Sequence, residues 1–212
     1  MPIVAAVFDA FGTVVHIKRK HHPFRRLLRI GAQQGRRPSG ADLHRLMTSN
    51  FALEDAAERF GITLSLPQLT SLQHDLDDEL ESISVYPDAV DALLMLKAQG
   101  IATGICSNLA APYGPVLRKL LCDVEAFALS YEVGMLKPQE GIYRNICDQL
   151  QVHPNRDVTP SDERVVMIGD SLQCDQIGPA AVGISGYYLD RKGAGTLTNL
   201  VQFAQLVIED KR

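Results

Sequence analysis

Four short polar segments of this 212-residue chain carry the side chains that could do chemistry, and most of them directly follow an apolar stretch. They are Asp9-Ala-Phe-Gly-Thr13, Ser107-Asn108, Lys137-Pro138, and Gly169-Asp-Ser171 with Asp175. Together they supply carboxylates, hydroxyl groups and a lysine. Those are the groups needed to attack an anionic electrophile and to neutralise its charge.

Asp9 is the candidate nucleophile among these residues. The apolar run Ile3–Phe8 predicts a buried strand, and Asp9 follows it directly, with Gly12 and Thr13 within four positions. A buried strand of this kind delivers one reactive side chain into a pocket at its carboxyl end. The first segment therefore predicts the centre of a site that the other three complete.

The elements that must position these segments alternate between helix and strand from Pro87 onward. Strands are predicted at 101–106, 126–130, 164–168 and 183–189, and helices at 87–100, 113–121, 139–150 and 199–208. This alternation predicts an α/β fold, a Rossmann-like parallel sheet with helices on both faces. Since ligands bind beyond the carboxyl ends of such strands, we expect the four polar segments to meet there.

The stretch 16–85 differs from the rest because it contains no convincing buried strand. Apolar residues recur at helical spacing within 24–30, 42–53 and 68–80, and Ser39 with Asp42 forms a capping-box signature. We therefore expect an all-helical insert over 16–85 within a core formed by 1–15 and 86–212. An insert rooted beside Asp9 is well placed to cover the pocket.

A basic cluster stands at the start of this insert. Its members are Lys18, Arg19, Lys20, His21, His22, Arg25, Arg26 and Arg29. The favoured interpretation is the solvated face of an amphipathic helix, with Phe24, Leu27 and Leu28 facing inward. The alternative is that one or two of these side chains bind an anionic substrate.

The order of the four segments resembles the haloacid dehalogenase (HAD) superfamily of hydrolases, and the resemblance covers nearly the whole chain. The helical insert also matches the common position of the cap in that superfamily. One segment alone is a weak signal, whereas four in this order, each after a plausible strand or loop, are a strong one. The resemblance implies hydrolysis through a covalent aspartyl intermediate.

The resemblance also implies a role for each polar residue. Asp9 would be the nucleophile, and Thr13 and Ser107 would hydrogen-bond the substrate oxygens or the Asp9 carboxylate. Asn108 would contribute to substrate binding. Lys137 would balance the charge of the nucleophile and the substrate, a role that suits the point charge of a lysine.

A Mg²⁺ cofactor is a further implication of the resemblance. Asp170 would hold the ion together with the Asp9 carboxylate and the backbone carbonyl of Phe11. Asp175 would orient Lys137 or the waters on the metal. Mg²⁺ prefers hard oxygen ligands and keeps several waters, so two carboxylates and one carbonyl are enough. The leading hypothesis is Mg²⁺-dependent hydrolysis of a small phosphorylated metabolite.

Phe11 departs from the pattern of the phosphatases in this superfamily. Those enzymes have a second aspartate at this position, which protonates the leaving group. A phenyl ring cannot transfer a proton, and general acid assistance is typically worth about 10²–10⁴-fold. Alkyl phosphate esters should therefore react slowly, whereas acyl or aryl phosphates need the acid less.

The 2-haloacid dehalogenase branch is the main alternative. Phe11 and Tyr143 both fit that branch, where the aspartate displaces halide without a proton donor or a metal. Asp170 and Leu172 do not, because the branch usually has a small hydroxyl residue and an asparagine at these positions. An unneutralised Asp170 would repel both Asp9 and a carboxylate substrate, so a bound cation is its natural explanation.

Phosphonatase chemistry and simple ligand binding are two further hypotheses for the same fold. The phosphonatases also lack the acid and use a cap lysine as a Schiff base, for which Lys18 or Lys20 could be proposed without support from their context. A non-catalytic or catalytically weak protein would keep the pocket only for binding, but the intact Asp9 disfavours it.

Composition limits the possible partners. The formal net charge of −4 gives no basic field for nucleic acid, and no apolar run approaches the ~20 residues of a membrane span. Cysteines at 106, 122, 147 and 174 lack paired metal-ligand spacing, which favours reduced thiols. We expect a cytoplasmic enzyme with a small anionic substrate and with no nucleic-acid or membrane partner, and the oligomeric state stays open.

Overall fold

A computed structural model describes residues 2–154, 163–193 and 195–210 of the chain. The strands are β1 (Ile3–Phe8), β2 (Val15–Ile17), β3 (Ile83–Val85), β4 (Ala102–Ser107), β5 (Ala126–Leu129), β6 (Arg164–Gly169) and β7 (Ser185–Tyr188). The helices are α1 (Pro23–Gln33), α2 (Gly40–Met47), α3 (Leu53–Arg59), α4 (Leu66–Glu81), α5 (Pro87–Ala98), α6 (Tyr113–Leu120), α7 (Ser130–Val133), α8 (Glu140–Leu150) and α9 (Leu200–Asp210). A π-helical turn (Leu172–Ile177) and a 3₁₀ helix (Gly178–Val182) follow β6. No helix within these residues is both long and apolar enough to cross a lipid bilayer.

A parallel sheet in the order β5-β4-β1-β6-β7 confirms the predicted α/β fold. β1 lies in the middle, and its last residue, Phe8, is paired with Ile105 of β4 and with Ile168 of β6. Because the three strands run in the same direction, their carboxyl ends lie at one edge of the sheet. The backbones of Asp9 and Ser107 are therefore close to each other at this edge.

Helices cover both faces of the sheet. In β1, Ala6 and Phe8 belong to the apolar cluster that includes α5, α6 and α9, whereas Ala5 and Val7 belong to the cluster under α8. The ring of Phe8 packs edge-on against Phe203 of α9 with a centroid distance of 5.6 Å. Burial on both faces explains why β1 is a continuous apolar run rather than an alternating one.

The insert consists of α1–α4 between two short strands that the sequence pattern does not predict. β2 and β3 pair antiparallel, with Val15 opposite Val85 and Ile17 opposite Ile83, and form a ribbon at the ends of the insert. Helix α1 buries Phe24 and Leu27 as predicted. Strands of three residues are too short to give an alternating pattern, so the sequence carries no signal for them.

The helix predicted over 42–53 is present but ends at Met47, and a second helix begins at Leu53. The first begins as predicted, with the carboxylate of Asp42 accepting the backbone N–H of Ser39 at 2.7 Å. The second has its own start signal, since the carboxylate of Asp55 accepts the backbone N–H of Ala52 at 3.0 Å. Each carboxylate satisfies a donor that has no partner inside its helix.

Candidate active site

Asp9 lies at the centre of the polar group at the carboxyl edge of the sheet. Its backbone N–H donates to the carbonyl oxygen of Ile168 at 2.9 Å, which continues the pairing of β1 with β6. Its side chain is almost buried, with 7% of the residue exposed. Ser107 Oγ donates to Asp9 Oδ1 at 3.0 Å, and Thr13 Oγ1 donates to Asp9 Oδ2 at 3.4 Å. Both hydroxyls therefore contact the carboxylate that the sequence singled out.

Lys137 joins two carboxylates inside the protein. Its Nζ lies 2.7 Å from Oδ1 of Asp9 and 2.6 Å from Oδ1 of Asp175, and only 5% of the residue is exposed. Burial alone would lower the pKa of Lys137, but the two carboxylates outweigh it and raise that pKa above its usual range. The lysine is therefore held as an ammonium ion between the two acids.

Asn108 fixes the backbone from which Lys137 extends. Its Nδ2 donates to the carbonyl oxygen of Lys137 at 3.0 Å, and its Oδ1 accepts the backbone N–H of Lys137 at 2.8 Å. Both ends of the amide are thus engaged within the protein. The observed contact is a positioning one, and substrate binding by Asn108 stays a prediction.

Asp175 is held from two sides beneath the site. Its Oδ2 accepts the backbone N–H of Ser171 at 2.9 Å, while its Oδ1 contacts Lys137. A side chain at Gly169 would overlap the Asp175 carboxylate, so this close approach depends on the glycine. Burial raises the pKa of Asp175, an effect that the ammonium of Lys137 opposes. The predicted role of orienting Lys137 agrees with this geometry.

Tyr143 supports Asp175 rather than contacting Asp9. It is fully buried on α8, and its hydroxyl donates to the carbonyl oxygen of Cys174 in the π-helical turn at 2.5 Å. Gly178 makes room for this contact, because a side chain there would overlap the hydroxyl. The tyrosine therefore anchors the turn that presents Asp175.

Asp170 brings a third carboxylate to the site and is exposed to solvent. One oxygen each of Asp9, Asp170 and Asp175 lies within 4.8 Å of the others. Burial of part of the group, followed by the charges of Asp9 and Asp175, raises the pKa of Asp170 to about 6. Gly12, at φ +85°, permits the approach, since a Cβ there would overlap the Asp170 carboxylate.

The charges of this group fit a divalent cation. Within the described part of the chain, Lys137 is the one cationic side chain in contact with this group, and it contacts Asp9 and Asp175. Three carboxylates against one ammonium leave excess negative charge. Burial, followed by the charges of Asp9 and Asp175, raises the pKa of Asp170. Hard carboxylate oxygens beside solvent are the ligands that Mg²⁺ prefers. Asp9, Asp170 and the carbonyl of Phe11 would hold the ion, which would neutralise charge on a bound phosphoryl group.

The side chain of Phe11 lies at the junction between this pocket and a larger cavity under the insert. Its ring packs edge-on against Tyr113 of α6, with a centroid distance of 5.7 Å. The hydroxyl of Tyr113 donates to Glu79 Oε1 at 2.8 Å. Phe11 is therefore fixed by packing, and its side chain brings no proton donor to the site.

Glu79 and Arg191 are two structural contributors that sequence reasoning missed. Glu79 is 2% exposed, and its Oε2 accepts the backbone N–H groups of His21 and His22 at 2.7 and 2.8 Å. It thereby ties α4 to the start of α1 and, through Tyr113, to the core. No local pattern marks such a residue, because its partners are distant in sequence.

Arg191 holds the backbone of the Asp9 loop. Its Nε donates to the carbonyl of Gly12 at 3.1 Å, and its Nη2 donates to that of Thr13 at 2.5 Å. The guanidinium also contacts Asp88 and lies 3.9 Å from the ring centroid of Tyr86. Arg191 follows the last parallel strand, so the rule that polar residues after strand ends meet at one edge could have found it.

Ion pairs with α4 account for part of the basic cluster. Arg19 and His21 both contact Asp78, at 2.8 and 2.6 Å, and Arg26 contacts Asp75. The interpretation as one face of a helix is therefore wrong for residues 18–22, which precede α1, and the contacts pair this segment and Arg26 with acidic side chains of α4.

Other members of the cluster have different surroundings. Arg25 is exposed and lines the larger cavity under the insert. Lys18 and Lys20 are exposed and line neither that cavity nor the pocket at Asp9, so neither is placed for a Schiff base there.

A family model matches most of the chain. Residues 3–183 match the family model of haloacid dehalogenase-like hydrolases, and the chain belongs to that family. It is 32% identical over 173 residues to (S)-2-haloacid dehalogenase 1 of Pseudomonas sp. (strain CBS-3). This match covers 73% of this chain and 74% of that protein.

Solved structures with the same fold include phosphatases. A HAD phosphatase from Thermococcus onnurineus has a TM-score of 0.65 and 22% identity, covering 98% of both chains. A HAD family enzyme from Bacteroides thetaiotaomicron, in complex with magnesium and inorganic phosphate, has a TM-score of 0.61 and 18% identity, covering 88% of this chain and 94% of that one. At these identities the likeness shows the fold alone.

Proposed function

We propose that this HAD-family hydrolase is a Mg²⁺-dependent phosphohydrolase that acts through a covalent phosphoaspartate at Asp9. The observation that carries the proposal is the exposed carboxylate of Asp170 beside Asp9 and Asp175. In the described residues Lys137 is the one cationic side chain at this group, and it pairs with Asp9 and Asp175. A magnesium ion held there would withdraw charge from the phosphoryl oxygens. A halide displacement gives Asp170 no comparable task.

The side chains of the site divide the reaction between them. A carboxylate oxygen of Asp9 forms a bond to phosphorus as the bond between phosphorus and the leaving oxygen breaks. Ser107 and Lys137 orient the carboxylate through Oδ1, and Lys137 offsets negative charge as it develops. Water then attacks the phosphorus of the phosphoaspartate, which releases inorganic phosphate and restores the Asp9 carboxylate.

Phe11 restricts the substrates that this site can hydrolyse well. Its ring cannot protonate the leaving oxygen, and its packing on Tyr113 fixes it in the position between the pocket and the cavity. A leaving group that is stable as an anion needs no proton donor. We therefore propose acyl or aryl phosphates rather than alkyl phosphates as the substrates.

The second candidate function is 2-haloacid dehalogenation. Phe11 favours it, since halide leaves without a proton, and so does the 32% identity to a protein named (S)-2-haloacid dehalogenase 1. Asp9 would then form an ester with the substrate carbon as halide departs, and water would hydrolyse that ester. The carboxylate of Asp170 weighs against this candidate, because it would repel a carboxylate substrate.

One set of assays separates the two functions. Purified protein is tested for phosphate release from phenyl phosphate and acetyl phosphate, with Mg²⁺ or with EDTA, and for chloride release from (S)-2-chloropropionate. We expect Mg²⁺-dependent phosphate release that Asp9→Asn and Asp170→Asn abolish. The exposed Asp123, whose side chain is 78% accessible, provides the matched control Asp123→Asn.

Two other outcomes would contradict the proposed function. Chloride release that persists in EDTA and in Asp170→Asn would establish the dehalogenase and overturn the proposal. Inactivity on every substrate, from a protein that unfolds cooperatively, would favour a protein that only binds its ligand.

A further inference from the structure

An apolar cavity of about 270 Å³ lies between the insert and the core, next to the pocket at Asp9. We call it the cap cleft. Its lining includes Phe11, Phe24, Leu43, Leu46, Met47 and Tyr113. Most of the lining residues are apolar or aromatic. The cap cleft is therefore suited to an apolar group larger than the phosphoryl group itself.

The cap cleft adjoins the pocket that contains the reacting carboxylate. Phe11 and Asn108 line both spaces, and Asp9, Lys137 and Asp170 line the smaller one. A molecule whose phosphoryl group lies at Asp9 would therefore extend past the ring of Phe11 into the cap cleft. The part of a phosphate substrate that extends away from phosphorus in this way is the leaving group.

The buried polar groups of the cap cleft are already occupied within the protein. Glu79 accepts three hydrogen bonds, from Tyr113 and from the backbone of His21 and His22. The amide of Asn108 is bound at both ends by the backbone of Lys137. The hydroxyls of a sugar or polyol would find few partners here, and burying a polar group without a partner is costly.

The basic side chains in the lining of the cap cleft are exposed to solvent rather than buried. Arg25 and His22 are both solvent-accessible. Leu43 is also 48% exposed and adds apolar surface to the lining. A substrate with an apolar body would cover this exposed side chain when it binds.

We infer that the leaving group of the substrate is an apolar carboxylate or phenolate, bound in the cap cleft between Phe11 and the helices α1 and α2. The inference rests on the proposed phosphohydrolase function. Two independent features support it. Phe11 brings no side-chain proton donor, which favours a stable anion as leaving group. The mostly apolar lining favours an anion that carries an apolar body. The substrate is then an acyl phosphate of a medium-sized apolar acid or an aryl phosphate.

The test compares acyl phosphates that have similar leaving groups and different apolar bodies. The ratio of kcat/KM for hexanoyl phosphate to that for acetyl phosphate measures the contribution of the cap cleft, because both release a simple carboxylate. Burial of each additional CH₂ is worth about 0.8 kcal/mol, so partial burial of four gives a ratio of about tenfold or more. Glycerol phosphate, with a polar alkyl leaving group, should react more slowly than either.

Two variants change the lining of the cap cleft. Met47→Trp fills the space, and Leu43→Gln makes the lining polar at an exposed position that tolerates the change. We expect each to lower the hexanoyl-to-acetyl ratio at least about threefold. Leu66→Trp, at a residue of the insert that is 77% exposed and does not line the cap cleft, is the matched control and should keep the ratio of the unmodified protein.

The outcomes distinguish this inference from the function on which it rests. Phosphate release from acetyl phosphate that equals or exceeds that from hexanoyl phosphate overturns the inference and leaves the phosphohydrolase intact. A ratio that is unchanged in both lining variants also overturns it. Absence of phosphate release from every substrate overturns the proposed function and the inference together.

Discussion

Arg191 donates from Nε to the backbone carbonyl of Gly12 at 3.1 Å and so joins the loop after β7 to the loop that carries Asp9. A second bond reaches the carbonyl of Thr13, and Asp88 holds the guanidinium from the other side at 3.0 Å. An arginine suits this task, because its planar fork can serve several acceptors at once. The position of the nucleophile loop thus depends on a side chain about 180 residues further along the chain.

Arg191→Met should weaken both the fold and the reaction. Hydrogen bonds to charged groups are worth about 1.5–3 kcal/mol, and the side chain is 20% exposed, so we expect a loss of about 1–3 kcal/mol in the free energy of unfolding. The kcat for phosphate release should fall more than the KM changes, because the loop bearing Asp9 loses its support. Urea unfolding and steady-state kinetics measure the two effects.

A control for Arg191→Met is Arg118→Met, which removes an exposed ion pair with Glu132. Exposed pairs contribute about 0–1 kcal/mol, so this variant should resemble the unmodified protein. Equal behaviour of the two variants would contradict a positioning role for Arg191.

Gly12→Ala should abolish the stabilisation of the protein by Mg²⁺. A Cβ at this position overlaps the Asp170 carboxylate, and the φ of +85° is unfavourable for alanine. The displaced carboxylate would no longer lie beside Asp9. Thermal unfolding with increasing Mg²⁺ is the measurement, since a bound ion raises Tm with its concentration.

Gly35→Ala separates backbone strain from the contact with Asp170. Gly35 has the same φ of +85°, and nothing lies within 4 Å of its added Cβ. Both variants should lose about 1–2 kcal/mol, because a residue with a Cβ is disfavoured in the left-handed conformation. Only Gly35→Ala should keep the rise of Tm with Mg²⁺, and a full rise in Gly12→Ala would be evidence against Asp170 as a ligand.

Lys137→Met should destabilise the protein strongly. The side chains of Asp9 and Asp175 are 10% and 1% exposed, and each lies within 2.7 Å of Lys137 Nζ. Removing one partner of a buried ion pair typically costs about 3–5 kcal/mol. The second change Asp175→Asn removes one of the two stranded charges and should restore part of the stability without restoring activity.

Urea unfolding in EDTA at pH 7 tests this expectation. The control is Lys97→Met, which breaks an exposed pair with Asp123 and should change stability by less than about 1 kcal/mol. If Lys137→Met were as stable as Lys97→Met, the buried contacts of Lys137 with Asp9 and Asp175 would not stabilise the fold.

The sequence is sufficient to predict the sheet and most of the polar site. β1 and β6 are continuous apolar runs because both faces of the sheet are covered, and that pattern is local. The carboxyl ends of parallel strands meet by geometry, so the positions of Asp9, Ser107 and Asp170 directly after predicted strands are enough to group them.

The remaining contributors depend on contacts that no local pattern contains. β2 pairs with β3 across nearly 70 residues, and each strand is three residues long. Glu79 is hidden in the sequence as one acid among several on α4, although it alone of that helix's acids is buried at 2% exposure. The orientation of Arg25 toward the cap cleft depends on the rotation of α1, which periodicity does not fix for exposed residues.

The unmodified protein should lose stability as pH rises from about 4 to 6, and Asp170→Asn should not show this loss. Burial, followed by the charges of Asp9 and Asp175, raises the pKa of Asp170 to about 6, whereas an aspartate in an unfolded chain titrates near pH 4. In that window the folded protein binds more protons than the unfolded chain. The free energy of unfolding therefore falls as pH rises through it.

Urea unfolding in EDTA at pH values from 4 to 7 measures the effect. Above pH 6, Asp170→Asn should be more stable than the unmodified protein by about 1 kcal/mol, a figure reduced for the solvent exposure of Asp170. Asp123→Asn, at an exposed carboxylate, should leave the profile unchanged. Mg²⁺ at pH 7 should then stabilise the unmodified protein and not Asp170→Asn. The same slope in all three proteins would mean that neither burial nor the charges of Asp9 and Asp175 raise the pKa of Asp170, and would weigh against a bound cation there.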